Sequence, residues 1–167
     1  MSITGAVAPG GHDLVLTRTV PVARSLIWDH LADPELLATW YGTYAGDPAT
    51  GRVEVTMTAE PGATEAEEFT IHACETGRLL SVSSAVGEET WRLSVELADA
   101  DAAEGPATRL TLRHHDLPSA MLADVGPGWE WYLDRLTAAV TGTAIPGMDV
   151  WDSQYLTLGP EYAALGR

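Results

Sequence analysis

The stretch Gly126-Pro-Gly-Trp-Glu-Trp-Tyr-Leu-Asp-Arg-Leu-Thr-Ala-Ala-Val140 decides the fold. Trp129, Tyr132, Leu133, Leu136 and Val140 recur three and four residues apart, the spacing that places side chains on one face of an α-helix. Glu130, Asp134, Arg135 and Thr141 fall on the opposite face, and Gly126-Pro127-Gly128 reads as the helix entry. The segments upstream alternate as strands that bury one face each. A helix with so much aromatic surface, arriving after such strands, is expected to lie across the open side of a curved sheet. The space between helix and sheet is then where function would reside.

Working back from that helix, residues 108–115, 90–97, 78–84, 67–75 and 52–58 carry strand-like alternation. Turn signals separate them: Glu60-Pro61-Gly62, Thr76-Gly77, Gly87 and the acidic stretch 99–106. Connections this short pair neighbouring strands antiparallel, as a meander. Val53, Val55 and Met57 share one face, as do Phe69, Ile71 and Ala73, then Trp91, Leu93, Val95 and Leu97, then Leu110, Leu112 and His114. By the same parity His72, Cys74 and His115 point to the polar side. A first strand, 14–20, precedes them all. Pro21 suits a helix start, Ile27, Trp28 and Leu31 form that helix's apolar face, and Asp33-Pro34 ends it. A second short helix over 35–40 follows, closed by Gly42. The expected class is α+β, with a curved six-stranded antiparallel sheet wrapped around a long C-terminal helix and two short helices after the first strand.

Three stretches are delimited: a flexible N-terminus over 1–12, one folded domain over 13–142 and an aromatic tail over 143–167. In the tail, Met148, Trp151, Tyr155, Leu158, Tyr162 and Leu165 are spaced like helical turns, and Gly159-Pro160 interrupts them. Two short turns packed on the domain or on a partner subunit are expected there.

Composition narrows the function classes. The 24 acidic residues outnumber nine basic ones, all arginine, for a net charge of −15. Such a surface repels phosphate backbones and anionic membranes, so no nucleic-acid partner is expected. No apolar run approaches the ~20 residues of a membrane span, so no membrane insertion is expected either. Cys74 is the single cysteine, so no intramolecular disulfide forms. The first eleven residues lack the basic and apolar regions of a signal peptide, and a cytoplasmic location is expected.

Taken in order, Val22-Ala-Arg-Ser-Leu-Ile-Trp-Asp29, Asp33-Pro34, Trp40-Tyr41-Gly42, Gly51-Arg52-Val53, Thr108-Arg-Leu-Thr-Leu-Arg-His114 and Gly128-Trp129 with Leu133 and Leu136 form a recognisable series. The series resembles the START-like (SRPBCC) superfamily, the helix-grip fold, and in particular proteins similar to the activator of heat-shock protein 90 ATPase homologue. The resemblance spans about residues 13–142. Tyr41 stands where the family usually has the second tryptophan of a pair, and the tail has no clear counterpart, so it could cover the pocket mouth. The resemblance implies a cavity for an apolar small molecule, lipid-like, polyketide-like or aromatic. It does not imply one reaction, since relatives include cyclases, aromatases and chaperone-binding proteins.

The expected ligand-binding set is Trp40, Tyr41, Val55, Met57, Phe69, Trp91, Leu112, His114, Trp129, Tyr132 and Leu136. Trp91 and Trp129 are expected to face each other across the cavity, with Trp40 and Tyr41 at its mouth. His114 and Tyr132 are the candidate catalytic residues. An imidazole titrating near neutrality could move protons on a bound ketone or enol. The more ordinary reading of His114 is a core histidine hydrogen-bonded to a backbone carbonyl or a tryptophan.

His12, His30, His72, His114 and His115 lack metal-ligand spacing. Neither a nucleophile turn nor a phosphate loop occurs. No metal or cofactor is indicated, and Glu65, Glu67 and Glu68 read as a solvated loop. Three functions follow. The first is binding of an apolar small molecule without strong catalysis, and the second is a polyketide cyclase or aromatase using His114 as acid and base. The third is a domain that contacts a chaperone or forms a homodimer through its tail.

Overall fold

Eight antiparallel strands and one long helix frame the computed structural model, which describes residues 1–86 and 88–167. The turn expected at Gly87 lies outside the described residues. The chain begins with strands β1 (Gly5–Val7) and β2 (Leu14–Val20), then helices α1 (Arg24–Ala32) and α2 (Pro34–Leu37). Strands β3 (Thr43–Ala45), β4 (Arg52–Thr56), β5 (Glu67–Glu75), β6 (Leu79–Val86), β7 (Glu89–Ala100) and β8 (Ala107–His115) follow. The long helix α3 spans Leu122–Thr141. Beyond it come a 3-10 turn (Met148–Val150), a π turn (Trp151–Tyr155), a second 3-10 turn (Leu156–Leu158) and helix α4 (Gly159–Ala164).

The sheet order is β1-β2-β8-β7-β6-β5-β4-β3. The meander from β4 to β8 was legible, and β2 closes against β8 with Leu16 opposite Leu112. The fold is the expected α+β helix grip, with eight strands where six were expected. The two additional strands, β1 and β3, are three-residue edges, too short for alternation to be read. Residues 5–7, expected within a flexible lead, pair with Leu14–Leu16, helped by a turn in which Ala8 N–H donates to Asp13 O at 2.9 Å.

Asp33 separates the two short helices by capping the second. Its Oδ1 accepts from Glu35 N at 2.8 Å and Leu36 N at 3.2 Å, satisfying donors that a helix start leaves free. Trp40 is fixed behind this pair by its indole N–H on His30 O at 2.9 Å. Gly42 follows because a Cβ there would lie 2.2 Å from Thr56 O.

In three places the sequence pattern and the structure diverge. First, α3 begins at Leu122, a turn before the expected entry, so Pro127 lies inside the helix. Second, β5 carries a bulge: Ile71 pairs with Val82 and Ala73 with Ser81, leaving His72 unpaired between them. The extra residue reverses strand parity, so Cys74 rather than Ala73 joins Phe69 and Ile71 on the helix side. His72 is exposed and meets Ser83 Oγ at 2.7 Å.

Third, the charged face of α3 is covered, not solvated. The tail and β1 lie over it, and Glu130 is only 1% exposed. Its Oε1 accepts from Thr4 N at 2.6 Å and Tyr162 OH at 2.5 Å, while Oε2 accepts from Thr4 Oγ1 at 2.9 Å and Arg18 Nη2 at 2.5 Å. One turn on, Asp134 takes Arg18 Nη2 at 3.1 Å and Tyr155 OH at 2.9 Å. The Tyr162 ring sits between Gly5 and Gly126, where added Cβ atoms would fall 2.5 and 2.3 Å from it. Gly159-Pro160 starts α4 instead of interrupting a helix, proline being tolerated in a first turn. Among the described residues no helix is long and apolar enough to cross a membrane.

Candidate functional site

The aromatic face of α3 and the facing strands do not interdigitate completely. Two partly open cavities remain, one of about 170 Å³ beneath α1 and α2, the inner chamber, and one of about 710 Å³ beside α3 and the tail, the outer chamber. Tyr41, Phe69, Leu93 and Trp129 line both, forming the partition between the chambers. The inner chamber runs under α1 and α2 and is walled by aliphatic side chains such as Val53, Val55, Leu80 and Val82. The outer chamber is bounded by Trp91 from the sheet, Met57 just beyond β4, Tyr132 and Trp131 from α3, and Trp151 and Met148 from the tail.

The expected site residues divide between these spaces. Trp40, Val55 and Leu112 line the inner chamber; Met57, Trp91 and Tyr132 line the outer one; Tyr41, Phe69 and Trp129 line both. Leu136 lines neither and is buried in the solid core. Trp40 and Tyr41, expected at the mouth, are buried instead in an aromatic chain. Tyr41 packs on Tyr132 with ring centroids 4.8 Å apart, and Trp129 continues the chain to Tyr132 at 5.9 Å.

His114 also lines neither chamber. It sits behind the outer wall, 2% exposed, with its ring 4.7 Å from Trp91 and 6.1 Å from Trp129. The imidazole thus packs against both tryptophans, which also both border the outer chamber. Trp129 Nε1–H donates to His114 Nδ1 at 3.2 Å, which leaves Nε2 to carry the proton of a neutral ring. Burial, then the neighbouring His115, pull its pKa down to about 4. A ring so placed is uncharged at neutral pH and has its acceptor nitrogen engaged.

Tyr132 brings a hydroxyl to the outer wall. Its hydroxyl donates to Glu60 Oε1 at 2.6 Å, and burial, with that carboxylate second, raises its pKa far above the usual phenol range. Tyr41 is raised by burial first and then by Glu60 and Glu67. Glu67, read from sequence as part of a solvated loop, and Glu60 both border the outer chamber, as does Asp124 at the start of α3. Nothing in the sequence connects these three, because they come together only when the β4–β5 turn meets α3. Cys74 is exposed at one edge of the inner chamber, brought there by the bulge. Among the described residues no group of three or more His, Cys, Asp or Glu is placed to hold a metal ion.

The family described as activator of Hsp90 ATPase homolog 1-like protein matches over residues 21–141. The chain belongs to this family and with it to the START-like (SRPBCC) superfamily. Among solved structures it is similar to CalU16 from Micromonospora echinospora, at 23% identity and TM-score 0.71, covering 99% of this chain and 96% of that one. A protein encoded by BPP1335 from Bordetella parapertussis gives 22% identity and TM-score 0.68, with 99% and 93% covered. DynU16, from the dynemicin biosynthetic locus, gives 22% and 0.64 over 79% of this chain and 48% of that chain. At such identities the likeness establishes the fold. No curated protein sequence matches the chain.

Proposed function

We propose that this domain binds one elongated apolar small molecule, lipid-like, polyketide-like or aromatic, with its body spanning the partition between the two chambers. The observation that carries the reading is the pair of adjoining cavities walled by Tyr41, Phe69, Leu93 and Trp129. The outer volume of about 710 Å³ falls in the range of small-molecule sites, and the inner one suits an alkyl chain or ring end. Empty space of this size is costly in a core, which normally packs to near-crystalline density. The origin of DynU16 in a biosynthetic locus adds support for a natural-product-like ligand.

The test is titration with the neutral fluorophore N-phenyl-1-naphthylamine. Binding to the wild type is expected, weakened at least tenfold in Leu93→Trp, whose indole fills the partition. Absence of binding, or equal binding by the filled variant, would overturn the proposal. Native mass spectrometry of freshly purified protein then identifies any co-purifying molecule.

A cyclase- or aromatase-type reaction is favoured by one observation, the hydroxyl of Tyr132 on the chamber wall beside Glu60. His114 is set back from both chambers, so proton transfer would run through the Tyr132–Glu60 pair. With a ligand identified, Tyr132→Phe would abolish conversion while sparing binding; unchanged conversion excludes the reaction.

A further inference from the structure

The two chambers differ in charge as well as size. The inner lining holds no carboxylate and no cation. The outer lining holds three carboxylates, Glu60, Glu67 and Asp124, and no arginine or histidine. None of the three takes part in an ion pair among the described residues. The only side-chain hydrogen bond any of them accepts there comes from Tyr132, a neutral donor.

Arg135, the arginine of α3, is committed elsewhere. Its Nε donates to Trp40 O at 2.8 Å and Nη1 to Pro146 O at 2.6 Å, and its guanidinium lies over the Trp131 ring at 4.7 Å. The same cavity is walled by Trp91, Trp131, Tyr132 and Trp151, with Tyr41, Phe69 and Trp129 in the partition, and the π faces of aromatic rings carry negative potential. Three exposed carboxylates with no ion-pair partner among the described residues and seven aromatic rings border one cavity, and no described residue of its lining is positively charged, which makes it a place for positive charge.

We infer that the ligand is an amphiphile whose outer end carries a cationic amine, seated among the aromatic rings and facing Glu60, Glu67 and Asp124, with its apolar end in the inner chamber. The inference rests on the binding function proposed above and gives the ligand its orientation. A free amine or quaternary ammonium fits better than a zwitterionic lipid head, whose phosphate would meet the same carboxylates.

Decyltrimethylammonium, decanol and decanoate, used below their micellar concentrations, form a matched set with one chain and three charges. Displacement of N-phenyl-1-naphthylamine measures each. The cation is expected to bind at least tenfold more tightly than the alcohol, and decanoate more weakly than either. In the triple variant Glu60→Gln, Glu67→Gln, Asp124→Asn, the ratio of cation to alcohol affinity should fall to within threefold. A control triple, Asp101→Asn, Glu104→Gln, Glu161→Gln, removes three exposed carboxylates that line neither chamber and should keep the tenfold ratio. Equal binding of cation and alcohol by the wild type overturns the inference while leaving the cavity function standing. An equal loss in the control triple overturns it too, because the attraction would then belong to the acidic surface at large. Failure of every probe, the fluorophore included, counts against the binding function itself.

Discussion

The two faces of α3 are packed in opposite ways. Its aromatic face, the one that sequence marks as core, looks onto two cavities. Its charged face, which sequence marks as solvent-exposed, is the solid one, with Glu130 wrapped by Thr4, Arg18 and Tyr162. Hydrophobic character says which side chains leave water. It does not say how closely they meet. Close packing here comes from directional polar contacts and from two glycines that admit a tyrosine ring, while the large rigid rings opposite leave space between them.

Four substitutions sharpen or break this comparison. Glu130→Ala should cost the most, about 2–4 kcal/mol, because it leaves the buried Tyr162 hydroxyl and Thr4 without their acceptor and the half-buried Arg18, whose Nε has no partner among the described residues, with Asp134 alone. Chemical denaturation measures it, and a loss under 1 kcal/mol would mean the charged face is not the solid one. Gly126→Ala should cost about 1–3 kcal/mol by driving a methyl into the Tyr162 ring. Limited proteolysis should then cut the tail beyond residue 145 while residues 13–142 resist.

The third concerns pH. His114 has a folded pKa of about 4 against an ordinary value near 6.5, so between those values the unfolded chain binds the extra proton. Its neutrality therefore contributes stability that is complete above pH 6.5, falls as pH drops towards 4 and changes no further below it. Wild type should lose about 2 kcal/mol more than His114→Phe between pH 7 and pH 4, and parallel curves would contradict the buried neutral ring. The smallest effect belongs to the open face. Leu93→Trp should change stability by less than about 1.5 kcal/mol, because the added ring enters existing space. A destabilisation like that of Glu130→Ala would show the partition to be tightly packed.

Much of the fold was legible because its signals are local. The alternation in β4 to β8 and the three-four spacing in α3 are properties of contiguous residues, and the helix-grip order follows from their succession. Parity failed at His72, where one inserted residue exchanged the roles of Ala73 and Cys74, and no side-chain type announces a bulge. The burial of Glu130 was not legible because its partners lie 126 residues before it and 32 after it, beyond any periodicity window. Most aromatic wall residues could be named from strand and helix parity, whereas Glu60, Glu67 and Asp124 could not. Each looked like ordinary surface charge until a turn and a helix start were placed beside each other.

The clasp at Glu130 also sets an order of events during biosynthesis. Residues 4 and 18 have left the ribosome long before α3 is made, but the phenol of Tyr162 has not. Until it emerges, a carboxylate destined for the interior keeps part of its hydration, and α3 can dock on the sheet only provisionally. The grip is thus complete in outline early and locked late, by a single ring arriving between two glycines translated long before it.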